Sequence, residues 1–166
     1  MERLWAPWRL QYVGKERAPG CIFCDKPVAG DDRAHYIVHR GAHAFVILNA
    51  FPYNNGHIMV APYAHIADLE ALPTDTSHEM MDLAQLATRA LRRTFSPDGV
   101  NVGFNLGAAA GAGIADHLHM HLVPRWVGDT NFMPVIGDTR VIPESLDQTF
   151  EKLSAAFTAL SGGPAA

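Results

Sequence analysis

The chain has 166 residues, 48% of them hydrophobic and 18% charged, with a formal net charge of −4 when histidine is neutral. That length suits one domain with a real core, and the composition is that of a globular protein rather than a disordered or fibrous one. The negative balance argues against a nonspecific grip on nucleic acid, which needs a basic surface, and no apolar run approaches the ~20 residues of a membrane helix.

Residues 1–20 carry Trp5, Pro7, Trp8 and Pro19 without periodicity and read as an irregular arm. Arg3, Arg9, Lys15 and Arg17 are too sparse there for a polybasic segment, and the charged-then-apolar pattern of a signal peptide is missing, so a cytoplasmic protein is expected. One domain is expected over 21–161, and a disordered tail over 162–166. Cys21-Ile-Phe-Cys24 holds both cysteines of the sequence. In a reducing compartment the pair reads as a metal hook or a redox pair rather than a structural disulfide.

Tyr36–His39 and Ala44–Asn49 read as strands around an Arg40-Gly41 turn, and Pro52-Tyr-Asn-Asn-Gly56 is a turn cluster before a third strand, His57–Pro62. Ile66–Leu72 reads as a short helix stopped by Pro73. Thr74 and Thr76 offer caps for a long helix over about Ser77–Phe95, whose stripe Met80, Ala84, Ala87, Leu91 and Phe95 marks a core face. Pro97-Asp-Gly99 turns the chain into a fourth strand, Val100–Asn105, and Gly107–Gly113 is a loop of small residues. Past Trp126 the segment 127–142 reads as loop, and an amphipathic helix follows near Glu144–Leu160. Strands outnumber helices and the early connections are short, which predicts an α+β fold: an antiparallel five-stranded sheet with a long helix and a C-terminal helix on one face.

The fifth strand carries the chemistry. His117-Leu-His119-Met-His121 places three histidines two apart, so a strand would line one face with imidazoles and send Leu118, Met120 and Leu122 into the core. An imidazole with an ordinary pKa of about 6.5 can be nucleophile, proton carrier, phosphate donor or metal ligand near neutral pH. His57 reads either as a satisfied core histidine or as a partner of this array. Glycine and alanine in Gly107–Gly113 let backbone N–H groups, Gly111 and Gly113 among them, approach phosphate oxygens. Asn49 and Asn105, taken by themselves, read as turn and strand-end residues.

The histidine array with Val123-Pro-Arg-Trp126, the stretch Leu48-Asn-Ala-Phe-Pro-Tyr-Asn-Asn-Gly-His57, and Asn101-Val-Gly-Phe-Asn-Leu-Gly107 resemble the histidine-triad (HIT) superfamily of nucleotidyl hydrolases and transferases. Leu4-Trp-Ala-Pro-Trp-Arg9 and Trp126–Phe132 are similar to its diadenosine tetraphosphate phosphorylase-like branch. The resemblance, running over about residues 4–150, implies a HIT-like fold and an enzyme that cleaves a dinucleoside polyphosphate at the α-phosphorus, by phosphorolysis or hydrolysis, without an organic cofactor. It implies His119 as the nucleophile, His121 as the phosphate-contacting and orienting histidine, His57 as the buried supporting histidine, Asn49 at the ribose and Asn105 at the phosphates. Ala112-Gly113-Ile114 departs from the many relatives that carry Gln, Ser or Thr just before the triad. Zinc-bearing members complete a Cys pair with two histidines, which implies structural zinc on Cys21, Cys24, His65 and His117. His35, His39 and His43 are alternative third ligands, and His78 reads as a surface residue. The resemblance also implies a homodimer, with tetramers in the phosphorylase-like branch, acting on a nucleotide and on neither nucleic acid nor membrane. On the same residues a nucleoside phosphoramidate hydrolase is an alternative, as is a nucleotide-binding or zinc-scaffold protein with little turnover.

Overall fold

The computed structural model describes residues 20–129 and 143–162. The expected N-terminal arm, most of the 127–142 loop and the end of the C-terminal tail lie outside the described residues. In chain order the elements are helix α1 (Ile22–Val28), a short helix α2 (Asp32–His35), strands β1 (Ile37–Arg40), β2 (Ala44–Leu48) and β3 (Ile58–Pro62), helix α3 (Thr74–Phe95), strands β4 (Gly99–Phe104) and β5 (Met120–Arg125), and helix α4 (Leu146–Ser161). Among the described residues the five strands form one antiparallel sheet in the order β1-β2-β3-β5-β4. None of the described helices is long and apolar enough to cross a membrane.

Alternation along the strands sorts the side chains between two clusters. Val46, Leu48, Ile58, Val60, Met120 and Leu122 face Met80, Ala84, Ala87 and Leu91 of α3 and Leu153 and Phe157 of α4. Large aliphatic and aromatic side chains buried this completely contribute about 1.5–3 kcal/mol each, which makes this layer the main apolar anchor of the sheet. Phe45, Ile47, Met59 and Ala61 point the other way, onto Phe23 of α1 and Ile37. The sheet is therefore covered on both faces at its centre, whereas the sequence reading put helices on one face. Strands β2 and β3, buried at every position, show the near-continuous apolar run of that situation.

Several boundaries differ from expectation. Helix α3 starts at Thr74 with Pro73 at the N-cap, which makes no side-chain cap. Thr76 is buried within the first turn rather than capping. Ile66–Leu72 contains only a 3₁₀ turn, Leu69–Ala71, because the Ile66 carbonyl accepts from Leu118 N–H at 2.7 Å and is lost to a local helix. The same bond takes Leu118 out of the ladder, so β5 begins at Met120 rather than at His117. Helices α1 and α2 carry no periodic pattern in the sequence. The C-terminal helix lies where its pattern predicts, and it opens with a Ser145/Gln148 capping box.

Candidate active site and adjoining metal centre

The histidines lie on the α1 side of the sheet. Helix α1 delivers three groups there: Cys21 at its N-cap, Cys24 one turn on and so on the same side, and Phe23 between them. The Phe23 ring centroid stands 5.2 Å from that of His117 and 4.9 Å from that of His119, walling both imidazoles from below. His117 and His119 are buried and His121 is half-buried.

Cys21, Cys24, His65 and His117 converge, their ligand atoms all within 4.8 Å of one another. His117 Nδ1 is 3.3 Å from Cys21 Sγ, 3.6 Å from Cys24 Sγ and 3.2 Å from His65 Nδ1, and Cys24 Sγ is 3.4 Å from His65 Nδ1. A tetrahedral zinc with ordinary bond lengths gives edges of about 3.6 Å between sulfur and nitrogen and about 3.3 Å between nitrogens. The donor set thus fits a closed tetrahedral ion. His117 Nε2–H donates to the Pro62 carbonyl at 2.9 Å, which fixes its tautomer and turns the Nδ1 lone pair toward the sulfurs. Burial, and then the neighbouring Cys21 sulfur, push the Cys24 thiol up to about 11. A cation between the sulfurs reverses that balance.

Two residues on, a different set of bonds takes over. His119 Nδ1–H donates to the His117 carbonyl at 2.8 Å, which leaves Nε2 as an unprotonated lone pair in the neutral ring. Burial lowers the pKa of His119, so that neutral ring is the form present near pH 7. Its neighbour His121 packs edge-on at 4.8 Å between centroids. His121 Nδ1 lies 3.0 Å from His57 Nε2, and His57 Nδ1 accepts from Tyr53 N–H at 3.0 Å. A backbone N–H can only donate, so the His57 proton sits on Nε2 and is donated to His121 Nδ1. Neutral His121 then carries its own proton on Nε2. Burial, then His119, pull His121 down to about 4, which keeps it neutral over the physiological range. Backbone groups of fixed polarity at both ends therefore dictate the tautomer of every ring in this set.

The site is braced from the turn before β3. Gly56 has φ +74°, and a Cβ there would meet the Phe95 ring at 2.8 Å, so both conformation and space call for glycine. Asn54 Nδ2 donates to the Pro124 carbonyl at 3.1 Å and to Asp129 Oδ2 at 2.8 Å, tying the turn to the far end of β5. Arg125 donates through Nε and Nη2 to the two carboxylate oxygens of Asp129, and chiefly through these bonds the carboxyl is held down at about 2. The structure thus brings His57, His119 and His121 into one group and Cys21, Cys24, His65 and His117 into another. Asn49 joins the first through Nδ2, 3.3 Å from His57 Nδ1, while its Oδ1 accepts from Phe51 N–H. Asn105, Gly111 and Gly113 are half-buried in the stretch from β4 to the histidines. Gly111 has φ +89° and spends its N–H on the Ala108 carbonyl.

Sequence reasoning missed Phe23, Tyr53, Asn54 and Asp129 as parts of this region. A phenylalanine inside a CxxC and an aromatic inside a turn cluster carry no periodic signal, and the Asn54–Asp129 bond joins residues far apart in the chain. His39 and His43 stay outside both groups, His39 stacking on Phe157 instead.

Comparison with known proteins agrees with this geometry. A family model described as the HIT domain matches residues 32–127, more than half of the chain. The chain belongs to the HIT domain family. It is 40% identical to the AP-4-A phosphorylase of Mycobacterium tuberculosis, over 95% of this chain and 85% of that protein. Among solved structures, a zinc-bound histidine triad family protein from Mycobacterium smegmatis is 27% identical with a TM-score of 0.70, covering 86% of this chain and 96% of that one. A HIT family member from Bacillus subtilis is 27% identical with a TM-score of 0.59, covering 89% and 99%. The five-stranded α+β architecture is that of the family, and the chain is an enzyme of its nucleotide hydrolase and transferase class.

Proposed function

We propose that the chain cleaves a dinucleoside polyphosphate such as diadenosine tetraphosphate at the α-phosphorus, through a nucleotidyl group carried on His119. The observation that carries this reading is the bond from His119 Nδ1–H to the His117 carbonyl, which presents Nε2 as a lone pair in a buried, neutral ring. Nε2 attacks the α-phosphorus, the bond to the bridging oxygen breaks, and the remaining nucleoside polyphosphate leaves. Phosphate or water then attacks the same phosphorus and returns the electron pair to Nε2. His121, its Nδ1 filled by His57, offers Nε2–H to a phosphoryl oxygen as charge builds there. Asn49 holds the ribose and Asn105 meets the phosphates. Gly111 shapes the loop by its turn, and Gly113 offers its N–H to the phosphates.

Cys21, Cys24, His65 and His117 hold a structural zinc in this reading. A zinc with four protein ligands contributes to folding rather than to the reaction. Its bearing on catalysis is indirect: His117 is fixed by a ligand bond, and the His117 carbonyl that orients His119 is fixed with it. Paired thiolates of this kind persist in a reducing compartment, which agrees with a cytoplasmic enzyme. The edge strand β4, with Val102 half exposed, suits a homodimer, a tetramer being the next state. Light scattering coupled to gel filtration measures it.

One incubation tests the reaction. Diadenosine tetraphosphate is supplied with and without inorganic phosphate, and the products are separated. ADP with ATP, formed only when phosphate is present, marks phosphorolysis, and AMP with ATP marks asymmetric hydrolysis. Binding without either product overturns the proposed reaction.

A further inference from the structure

Tyr53 belongs to the turn between β2 and β3, and its side chain has no role in the chemistry described so far. Its ring centroid stands 4.6 Å from that of His57 and 5.9 Å from that of His121, and it is nearly parallel to the His121 ring, at 24°. Its backbone N–H holds His57 Nδ1. The residue after it, Asn54, is bonded to the far end of β5. Tyr53 is thus tied to His57 itself and, through Asn54, to the strand that carries His121. The cross-strand partners of His121 are Met59 on β3 and Gly103 on β4, and His119 precedes it on its own segment.

We infer that Tyr53 is a positioning residue for His121: its ring, laid on both members of the His57–His121 pair, keeps the His121 plane and covers the bond between them from water. A hydrogen bond between two neutral imidazoles is weak enough for water to compete with. Gly103 supplies no side chain to cover His121 from the β4 side, whereas the Tyr53 ring stacks on His121 from the turn. Among the described residues, the titratable rings in contact with His121 are those of His57, His119 and Tyr53. The nearest charge along the same strand face is Arg125, and it is engaged by Asp129. With no carboxylate in that set, the environment of His121 is governed by desolvation, and removing the ring admits water to one side. The downward pull of burial on His121 agrees with this arrangement.

The kinetic part of this inference rests on the reading of His119 as nucleophile; the structural part does not. The test is a histidine NMR titration of the full chain, with the His121 signal assigned from the spectrum of His121→Gln, in wild type and in Tyr53→Ala, Tyr53→Leu and Tyr53→Phe. Tyr53→Ala keeps the backbone N–H and so leaves the His57 tautomer in place. It is expected to raise the His121 titration midpoint by about one pH unit or more. Tyr53→Phe restores the wild-type midpoint, because the ring rather than the hydroxyl does the covering. Tyr53→Leu, which keeps apolar bulk without a plate, lies between and serves if the alanine variant folds poorly. In turnover assays Tyr53→Ala lowers kcat about tenfold at pH 7 with KM within about threefold, and lowers it further toward pH 5. A folded Tyr53→Ala, or Tyr53→Leu where the alanine variant does not fold, whose His121 titrates as in wild type overturns the inference whatever the activity. Turnover retained by His119→Ala overturns the nucleophile reading instead and leaves the titration to decide on Tyr53.

Discussion

At the start of the segment His117–His121, the first imidazole turns Nδ1 toward two sulfurs and His65, with its Nε2–H tied to the Pro62 carbonyl. At the end of the segment, His121 takes a hydrogen bond on Nδ1 from His57, which is itself tied to the Tyr53 backbone. The residue type is the same, both belong to one alternating run, and both pKa values are lowered by burial. What separates them is which neighbour claims which nitrogen. A thiol pair one helical turn apart draws one ring into a donor set fit for a metal ion, and a backbone donor at the far end of an imidazole pair leaves a proton facing out from the other. His119, between them, borrows its orientation from the His117 carbonyl and so links the thiol end of the segment to the His57–His121 end.

The largest effect that separates the two ends is expected from His119→Ala. It removes the proposed nucleophile and lowers turnover by a factor of about a thousand or more, while nucleotide affinity stays within about tenfold because binding uses other groups. Steady-state kinetics with a parallel binding titration measures both, and a variant with near-normal kcat would place the chemistry elsewhere on the segment. Next comes Cys24→Ser. Protein purified without added metal should carry about one zinc per chain by elemental analysis, and the serine variant should lose it. It should also melt about 10 °C lower, since structural zinc contributes directly to folding. If instead the serine variant melts with the wild type, the Cys pair is vestigial or redox-active and His117 is available to join His119 and His121.

Asn49→Ala has a smaller expected effect at the His57–His121 end, a rise in KM of roughly 2- to 12-fold with a lesser change in kcat, the worth of one lost neutral hydrogen bond. The Asn49 Oδ1 bond to Phe51 N–H adds a contribution to the turn. Lower thermal stability with unchanged KM therefore assigns Asn49 to the turn alone. Smallest is Asp129→Asn. The Asp129 carboxyl is held at about 2 in the fold, chiefly by Arg125, against an ordinary value of 3.8. A depressed carboxylate contributes stability that is complete above about pH 4 and lost as pH falls toward 2. The variant should shift the urea midpoint down by roughly 0.3 M at pH 6 and not at all near pH 2. An equal shift at both pH values assigns Asp129 a packing role without an ionic one.

Much of this molecule was readable before its structure. Strands β2 and β3 announce themselves as apolar runs closed by a Gly-Pro-Asn turn cluster, and α3 by a stripe at helical spacing, because burial of a whole face imposes that periodicity. The residue types of both histidine groups were readable as well, since CxxC and a two-residue histidine repeat are local. What the sequence does not carry is long-range backbone commitment. Ile66 gives its carbonyl to Leu118, which unmakes the expected helix at 66–72 and delays β5 to Met120. Helix α1 is too short, and interrupted by Pro27, to show a pattern, yet it supplies the wall that covers His117 and His119. The tautomers are the clearest case. They depend on the Pro62 and His117 carbonyls and the Tyr53 N–H, backbone groups that no motif distinguishes.

The division of labour along the segment is tested most directly by locating the covalent intermediate. The full chain is mixed with diadenosine tetraphosphate labelled at the α-phosphorus, quenched within one turnover under alkaline conditions that preserve a phosphorus–nitrogen bond, and digested for peptide mass spectrometry. The nucleotidyl group is expected on His119 alone, with His117 and His121 unmodified. Adduct on His117 or His121, or turnover through no protein-bound nucleotide at all, would contradict it.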